Sequence, residues 1–246
     1  MAEAAHSPLE QFKIARLFEI HVGGVDVSFT NSALFMVIAI AAITAFLLIA
    51  TRQRALVPTR LQSMAELSYE FIANMIRDNV GTAGMKYFPF IFSLFMFILF
   101  CNLIGMIPFT FTVTSHIIVT FTMALVVFVG VTIIGFARHG LHFLKFFVPP
   151  GVPMALLPML VVIEVLSYLI RPVSLSVRLF ANMTAGHTML KVFGGFVVML
   201  GILGGWAPLA FVVALTGLEV LIAVLQAYVF TILTCIYLND AVHMHH

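Results

Sequence analysis

The chain has 246 residues, of which 62% are hydrophobic and only 9% are charged, and its formal net charge is +2. This composition excludes an ordinary soluble domain, and the small net charge without a basic tract excludes a nucleic-acid-binding protein. Cys101 and Cys235 lie inside apolar runs, as lipid-facing or core residues, so neither a disulfide framework nor a metal-ligand spacing is present. We therefore predict an all-α polytopic membrane protein without a cofactor or a metal.

Residues 1–28 precede the first apolar run and are predicted to lie outside the membrane. Leu9, Phe12 and Phe18 follow each other at helix-like spacing, which predicts a short interfacial helix. The segment is mixed in charge rather than short and basic, so we expect no cleavable signal peptide.

The first membrane helix is predicted over residues 29–50, and a cluster of arginines follows it: Arg52, Arg54 and Arg60. Basic residues after a span mark the cytoplasmic side, so the N-terminus is predicted to be outside. Residues 58–80 have apolar side chains at helical spacing but carry too many charges to span. They predict an amphipathic helix on the cytoplasmic surface.

A helix hairpin is predicted over residues 87–136, with an outward span from 87 to 108 and a returning span from 117 to 136. A second basic cluster follows it: Arg138, His139, His142 and Lys145. The two clusters independently indicate the same orientation.

Residues 154–240 predict a second, longer hairpin. A helix from Pro158 to Phe193 would be about 54 Å long at 1.5 Å per residue, against a bilayer core of about 30 Å. We therefore expect this helix to be kinked or steeply tilted. The glycine-rich segment 201–205 predicts the turn, and a last helix is predicted from Ala207 to Leu238. The whole chain then has five membrane helices and one surface helix.

Six acidic, basic or histidine residues lie inside the two predicted helices of this hairpin: Glu164, Arg171, Arg178, His187, Lys191 and Glu219. A charge at the bilayer centre costs about 2.5 to 3.5 kcal/mol on insertion scales. We interpret Lys191 and Arg171 as snorkelling or paired residues. Arg178 lies mid-helix, too far from either interface to snorkel, so we interpret it as functional.

The helical projection divides these residues into two faces. At about 100° per residue, Ser174 and Asn182 lie within about 40° of Arg178, and so do Glu164, Ser167 and Ala185. This small, polar face suits a water-filled vestibule or a partner that approaches closely. His187 lies on the opposite face, and a turn centred near Leu203 sets it beside Glu219 as a candidate proton-exchanging pair.

The stretch RPVSLSVRLFANMTAGH, with Glu164 before it and with Glu219 and Gln226 after it, resembles subunit a of the F-type ATP synthase. The segments QFKI, NLIGMIP and LQAYVFTILTCIYLND extend the resemblance over most of the chain. Some members of the family exchange the histidine and the carboxylate of the pair His187 and Glu219. The arrangement here is similar to that of the mitochondrial and alphaproteobacterial branch.

The resemblance implies a stator beside a rotating ring of c subunits, with peripheral-stalk b subunits and other ATP synthase subunits as further partners. Two offset half-channels would carry protons, and Arg178 would keep ring carboxylates ionised and block a leak. The outer half-channel would contain His187, Glu219, Asn182 and Gln226. The inner half-channel would contain Glu164, Ser167, Tyr168 and Ser174.

The implied location is a bacterial inner membrane with the N-terminus periplasmic and the C-terminus cytoplasmic; the mitochondrial inner membrane is the alternative. The chain would conduct protons rather than catalyse, and no phosphate-binding glycine loop indicates ATP binding. The ring decides between H⁺ and Na⁺, although His187 favours protons.

Two other functions fit a polytopic chain: a stand-alone secondary transporter or ion channel, and a structural membrane anchor. Many transporters contain an internal repeat, which the two halves of this sequence lack. An anchor leaves Arg178, Glu164 and Glu219 unexplained.

Overall fold

The computed structural model describes residues 12–19, 21–22, 25–26, 28–52, 58–107, 110–148, 153 and 156–243. The α-helices of these residues are α1 (Asn31–Arg52), α2 (Arg60–Val80), α3 (Phe88–Gly105), α4 (Ile117–His139), α5 (Leu157–Gly204) and α6 (Trp206–Val242). The short strands are β1 (Arg16–Phe18), β2 (His21–Val22), β3 (Val25–Asp26) and β4 (Phe29–Thr30).

Five of the helical segments are long and apolar enough to cross a membrane: Asn31–Arg52, Thr82–Gly105, Ile117–His139, Leu157–Gly201 and Trp206–Val242. The second of these joins a 3₁₀ helix, Thr82–Tyr87, to α3. The predicted all-α polytopic membrane fold is therefore confirmed. In the first basic cluster, the structure describes Arg52 and Arg60, whereas Arg54 lies outside the described residues.

Helix α2 has the amphipathic pattern that its sequence predicts. One face is buried, through residues such as Ile72 and Ile76, while the charged residues Glu66, Glu70 and Arg77 are exposed. The apolar residues Leu61, Met64 and Leu67 near the start of the helix are also exposed. The helix begins after Thr59, whose hydroxyl accepts a hydrogen bond from the Gln62 backbone N–H at 3.4 Å. It is followed by Gly81, whose φ of 76° favours glycine.

The N-terminal segment differs from the sequence prediction. A helix was expected across residues 9–18, but Arg16–Phe18 form β1, which pairs antiparallel with β4. The first part of the expected helix lies outside the described residues. The Asn31 side chain accepts a hydrogen bond from Ala15 N–H and donates one to the Lys13 carbonyl. These partners, more than ten residues away, satisfy the backbone and override a local helical pattern.

Helix α5 is longer than predicted, with 48 residues, and continues through Pro172. Proline removes one helical hydrogen bond, yet in apolar surroundings the remaining backbone groups are still best satisfied within the helix. The helical dihedrals fail at Gly201, where φ is 59° and ψ is −158°. The Gly205 N–H donates to the Gly201 carbonyl at 2.8 Å, so the predicted glycine-rich turn is confirmed.

The described chain divides into two compact units. The first contains residues up to Leu48, Met96–Ile117 and Leu179–Ala227. Within it, Asn102 of α3 is fully buried, and its Nδ2 donates to the Ala223 carbonyl of α6 at 3.1 Å. This bond connects two helices that are distant in sequence.

The second unit contains Ile49–Phe95, Ile118–Arg178 and the residues from Tyr228 onward. Its centre is Tyr168, which is 7% exposed and donates to or accepts from the Thr132 hydroxyl at 2.7 Å. Phenylalanine rings surround Tyr168: Phe128, Phe146 and Phe147. Cys101 of the first unit and Cys235 of the second are both buried, so both are core residues.

Candidate functional site

The structure brings His187 of α5 and Glu219 of α6 together inside the first unit. His187 Nδ1 lies 3.8 Å from Glu219 Oε2, and their side chains are only 11% and 9% exposed. The chain reverses between Gly201 and Gly205, which gives the two helices the antiparallel register that the sequence predicts. The distance is longer than a hydrogen bond and short enough for a small approach, or one bridging water, to join the groups.

The Glu219 carboxyl lies against a position of α5 that has no side chain. A Cβ atom added to Gly186 would collide with Glu219 Oε1. Both carboxyl oxygens are buried and accept no hydrogen bond from the described residues. A buried charge is costly unless it is paired, so an ionised Glu219 needs a cationic partner, and the His187 ring is the group within reach.

Thr112 lies on the other side of the His187 ring. Its Oγ1 is 3.1 Å from His187 Nε2 and 3.2 Å from the Gly105 carbonyl, to which it donates. The loop after α3 is also tied to α5 by a hydrogen bond from the Thr184 hydroxyl to the Ser115 carbonyl. Sequence reasoning missed Thr112, since a hydroxyl in a loop gives no signal until the loop is folded against the ring.

The amides of Asn182 and Gln226 also meet, with Asn182 Nδ2 donating to Gln226 Oε1 at 3.1 Å. The helical projection places Asn182 on the same face of α5 as Arg178, opposite His187. Asn182 is exposed, but its amide reaches back to α6. Asn182 lies at the edge of the contact between α5 and α6, so its side chain can be exposed and still bond to Gln226. Gln226 Nε2 is buried and has no hydrogen-bond acceptor among the described residues.

Arg178 is exposed and forms no hydrogen bond or ion pair with the residues that the structure describes. Ser174, one turn earlier on α5, is also exposed, and so are Ala181 and Ala185. These side chains are small, so they leave the guanidinium accessible from outside the chain.

The residues predicted for the inner half-channel share α5 but not one environment. Ser167 is exposed, Glu164 is partly exposed, and Tyr168 is buried among aromatic rings. Glu164 makes no hydrogen bond with any residue in the described ranges. Tyr168 can therefore support this region from inside, while Glu164 and Ser167 remain open to water or lipid.

Arg171, interpreted from the sequence as a snorkelling or paired residue, is paired. Its Nη1 donates to Asp240 Oδ2 at 2.9 Å. Three aromatic rings surround the guanidinium: Tyr237 at 4.9 Å, Tyr168 at 5.2 Å and Phe146 at 5.8 Å. Asp240 is the second residue that sequence reasoning missed, although an acidic residue beside an apolar run was a usable signal. Among the described residues, no group of three or more His, Cys, Asp or Glu could hold a metal ion.

The five candidate spans define a multi-pass membrane protein, and polar side chains meet between its last two helices. Residues 33–239 match the family model of the ATP synthase A chain. The chain belongs to this family.

Several curated relatives are similar over almost their whole length, and each is called ATP synthase subunit a. The relative from Pelagibacter ubique is 63% identical over 243 residues, which are 98% of this chain and 100% of the relative. The relative from Rhodospirillum rubrum is 61% identical over 240 residues, with the same coverage. The relative from Paramagnetospirillum magneticum is 64% identical over 245 residues, 97% of this chain and 99% of that one. The resemblance to an alphaproteobacterial subunit a is confirmed.

Proposed function

We propose that this chain is the proton-conducting stator of the ATP synthase membrane sector, in contact with a ring of c subunits and with peripheral-stalk b subunits. Its family membership and its five candidate spans support a membrane subunit that works with other ATP synthase subunits. The chain itself would not bind ATP. Its task would be to couple proton flow to rotation of the ring.

The main support for the proposal is that the charged side chain of Arg178 is exposed and has no bonding partner among the described residues. Arginine remains charged at every relevant pH, and an intramembrane charge is costly unless it is paired or hydrated. Arg178 forms no hydrogen bond or ion pair with the described part of its own chain. A carboxylate on a passing ring subunit would supply the missing partner.

Such a pairing would give Arg178 two roles: it would deprotonate ring carboxylates, and it would block a proton leak. The guanidinium favours the ionised carboxylate, so a ring subunit that reaches Arg178 releases its proton before it passes. Arginine cannot relay that proton, because it does not deprotonate in proteins. Arg178 therefore separates the two half-channels and blocks a direct leak.

The outer half-channel is assigned to His187, Glu219, Asn182 and Gln226. A proton reaching protonatable Glu219 or His187 can pass between them, since their side chains are 3.8 Å apart. Asn182 and Gln226 do not titrate, and their mutual hydrogen bond fixes the orientation of both amides. They would guide the proton from the pair toward the ring carboxylate.

The inner half-channel is assigned to Glu164, Ser167, Tyr168 and Ser174. The two serines are exposed, and Glu164 is partly exposed, which supports contact with water at the cytoplasmic side. Tyr168 is held by Thr132 and would form the wall of this path. Protons would leave the ring here during ATP synthesis.

The proposed location is a bacterial inner membrane, with the N-terminus in the periplasm and the C-terminus in the cytoplasm. Arg52 at the end of α1 and Arg138 at the end of α4 support this orientation. Cysteines introduced at the exposed residues Ile14 and Glu66 should react with an impermeant thiol reagent from the periplasmic and cytoplasmic sides, respectively. The opposite pattern would refute the orientation.

ATP-driven proton pumping by the assembled complex tests the function. Glu219→Gln should lower the pumping rate by roughly a hundredfold or more, because that is what a positioned proton-exchanging group contributes. Glu70→Gln is the matched control, since Glu70 is an exposed residue of α2 and should leave pumping unchanged. Normal pumping by Glu219→Gln, with normal assembly, would refute the assigned pathway.

A further inference from the structure

We propose that Thr112 is a positioning residue that holds the proton of neutral His187 on Nε2. The imidazole of His187 then exchanges protons with Glu219 only at Nδ1. This inference rests on the proposed function, since it assigns a direction to the proton exchange in the outer half-channel. It depends on four residues of the first unit: Gly105, Thr112, His187 and Glu219.

The Thr112 hydroxyl has two neighbours and one hydrogen to donate. Its Oγ1 lies 3.2 Å from the Gly105 carbonyl oxygen and 3.1 Å from His187 Nε2. Thr112 is buried, so neither neighbour is readily exchanged for bulk water. The hydroxyl can donate to one neighbour and must accept from the other.

The carbonyl of Gly105 decides between the two possibilities. It belongs to the last turn of α3, where carbonyl groups have no helical N–H partner. Gly105 is buried, and within the described chain the Thr112 hydroxyl is the donor that reaches its oxygen. A carbonyl can only accept, so donation to Gly105 avoids leaving a buried acceptor unpaired. The hydroxyl then accepts from His187, and Nε2 carries the hydrogen.

The other ring nitrogen is thereby set for proton uptake. A neutral imidazole has one N–H, so a hydrogen on Nε2 leaves a lone pair on Nδ1. Nδ1 faces Glu219 Oε2 at 3.8 Å. In the opposite tautomer, an N–H would face Glu219, and the ring could not accept a proton from that side.

The proposed step moves one proton and changes no other bond. Protonated Glu219 gives its O–H proton to the Nδ1 lone pair, directly after a small approach or through one water. Glu219 becomes a carboxylate, and His187 becomes an imidazolium that keeps its Nε2–H on Thr112. The reverse transfer restores both groups. The charged neighbour on α5 is Lys191, one turn beyond His187, and Glu219 is the acidic group that faces the ring from α6.

The local backbone holds Thr112 in place for this role. Gly105 lets the threonine approach α3, since a Cβ atom there would lie 2.7 Å from Thr112 Cγ2. The Thr184 hydroxyl donates to the Ser115 carbonyl at 3.3 Å, which attaches the same loop to α5. The position of Oγ1 relative to the ring is therefore fixed from both helices.

Nitrogen NMR of the assembled complex with ¹⁵N-labelled histidine tests the inference directly. The His187 signals are identified as those missing from the His187→Gln complex. We expect wild type and Thr112→Ser to have a protonated Nε2 and an unprotonated Nδ1 in the neutral ring. Thr112→Val keeps the side-chain shape without the hydroxyl, so its ring should populate the Nδ1–H tautomer.

Proton pumping provides the functional readout. Thr112→Val should pump roughly tenfold more slowly, less than the loss of about a hundredfold or more for removing a positioned acid–base group, and Thr112→Ser should restore most of the rate. A hydrogen on Nδ1 of neutral His187 in wild type would overturn the inference, even if Thr112→Val fails to assemble. An unchanged tautomer and rate in Thr112→Val would overturn it too. If instead His187→Gln and Glu219→Gln both pump normally, the proposed function itself fails.

Discussion

At the scale of single residues, Gly186 allows the Glu219 carboxyl to lie directly against α5. A Cβ atom at this position would overlap Glu219 Oε1. We therefore expect Gly186→Ala to displace the carboxyl from His187 and to lower ATP-driven proton pumping by roughly tenfold, less than the loss of about a hundredfold or more for removing a positioned acid–base group. The rate is measured in membrane vesicles that contain equal amounts of complex.

Gly194→Ala is the matched control for this variant. Gly194 belongs to the same helix, and a Cβ atom there would meet nothing within 4 Å. Both substitutions raise helix propensity equally, so a difference between them reports the contact with Glu219. Equal pumping by the two variants would contradict the placement of the carboxyl.

His116 offers a pH-dependent test outside the spans. Its ring stacks on Phe111 with centroids 4.9 Å apart, and burial lowers the pKa of its imidazole below the ordinary value of 6.5. The folded state thus binds the proton less readily than the unfolded state does. The contribution of His116 to stability is therefore lost as the pH falls below about 6.5.

The prediction is read from melting temperatures of the purified complex. Wild type should lose more stability than His116→Gln when the pH is lowered from about 7.5 to about 5.5. The comparison cancels the other groups that titrate in this interval. A parallel decrease in both proteins would show that His116 titrates normally.

At the scale of secondary-structure elements, the pair Arg171–Asp240 fastens α5 to the end of α6. The 2.9 Å bond is reinforced by the rings of Tyr168 and Tyr237, which lie over the guanidinium. The two side chains are 22% and 29% exposed, so solvent weakens the pair without removing it. Asp240→Ala should cost about 1 kcal/mol or more, because it leaves a partly buried charge unpaired.

A double-mutant cycle measures this interaction. Arg171→Met, Asp240→Ala and the double variant are compared by thermal unfolding of the complex, with Asp240→Glu as the charge-preserving control. A coupling energy of about 0.5 kcal/mol or more is expected for residues in contact. If the two single substitutions have additive effects on thermal unfolding, the pair Arg171–Asp240 contributes no interaction energy.

The sequence predicted the helices well because long apolar runs leave the backbone few alternatives in a membrane. It also predicted that His187 faces Glu219, since one glycine-rich turn sets the register of the whole hairpin. It failed at β1, whose partner strand is more than ten residues away in the chain. Local spacing does not contain that pairing.

The ionisable part of the site was visible in the sequence because a charge in an apolar run is costly and therefore conspicuous. The contacts of Thr112 were not visible, since hydroxyl groups are common in membrane helices and loops. Asn182 was placed on the exposed face of Arg178, and its amide nevertheless reaches Gln226 of α6. An angular projection gives the direction of a side chain but not its reach.

At the scale of the whole molecule, the proposed stator differs from a stand-alone transporter or channel in its need for the ring of c subunits. A stator would work only beside the ring, where a ring carboxylate would pair with the exposed Arg178. Purified membranes should therefore yield this chain together with small c subunits. Purification of a stable, proton-transporting chain without them would favour the alternative.

Arg178→Ala in the assembled complex tests whether Arg178 separates the two half-channels. Proton pumping and passive proton leak are measured in the same vesicles. We expect ATP-driven pumping to be lost and leak through the membrane sector to rise, because ring carboxylates can then pass the gate protonated. Arg60→Ala, at an exposed position of α2, should change neither quantity. Tight, ATP-coupled pumping by Arg178→Ala would contradict the account.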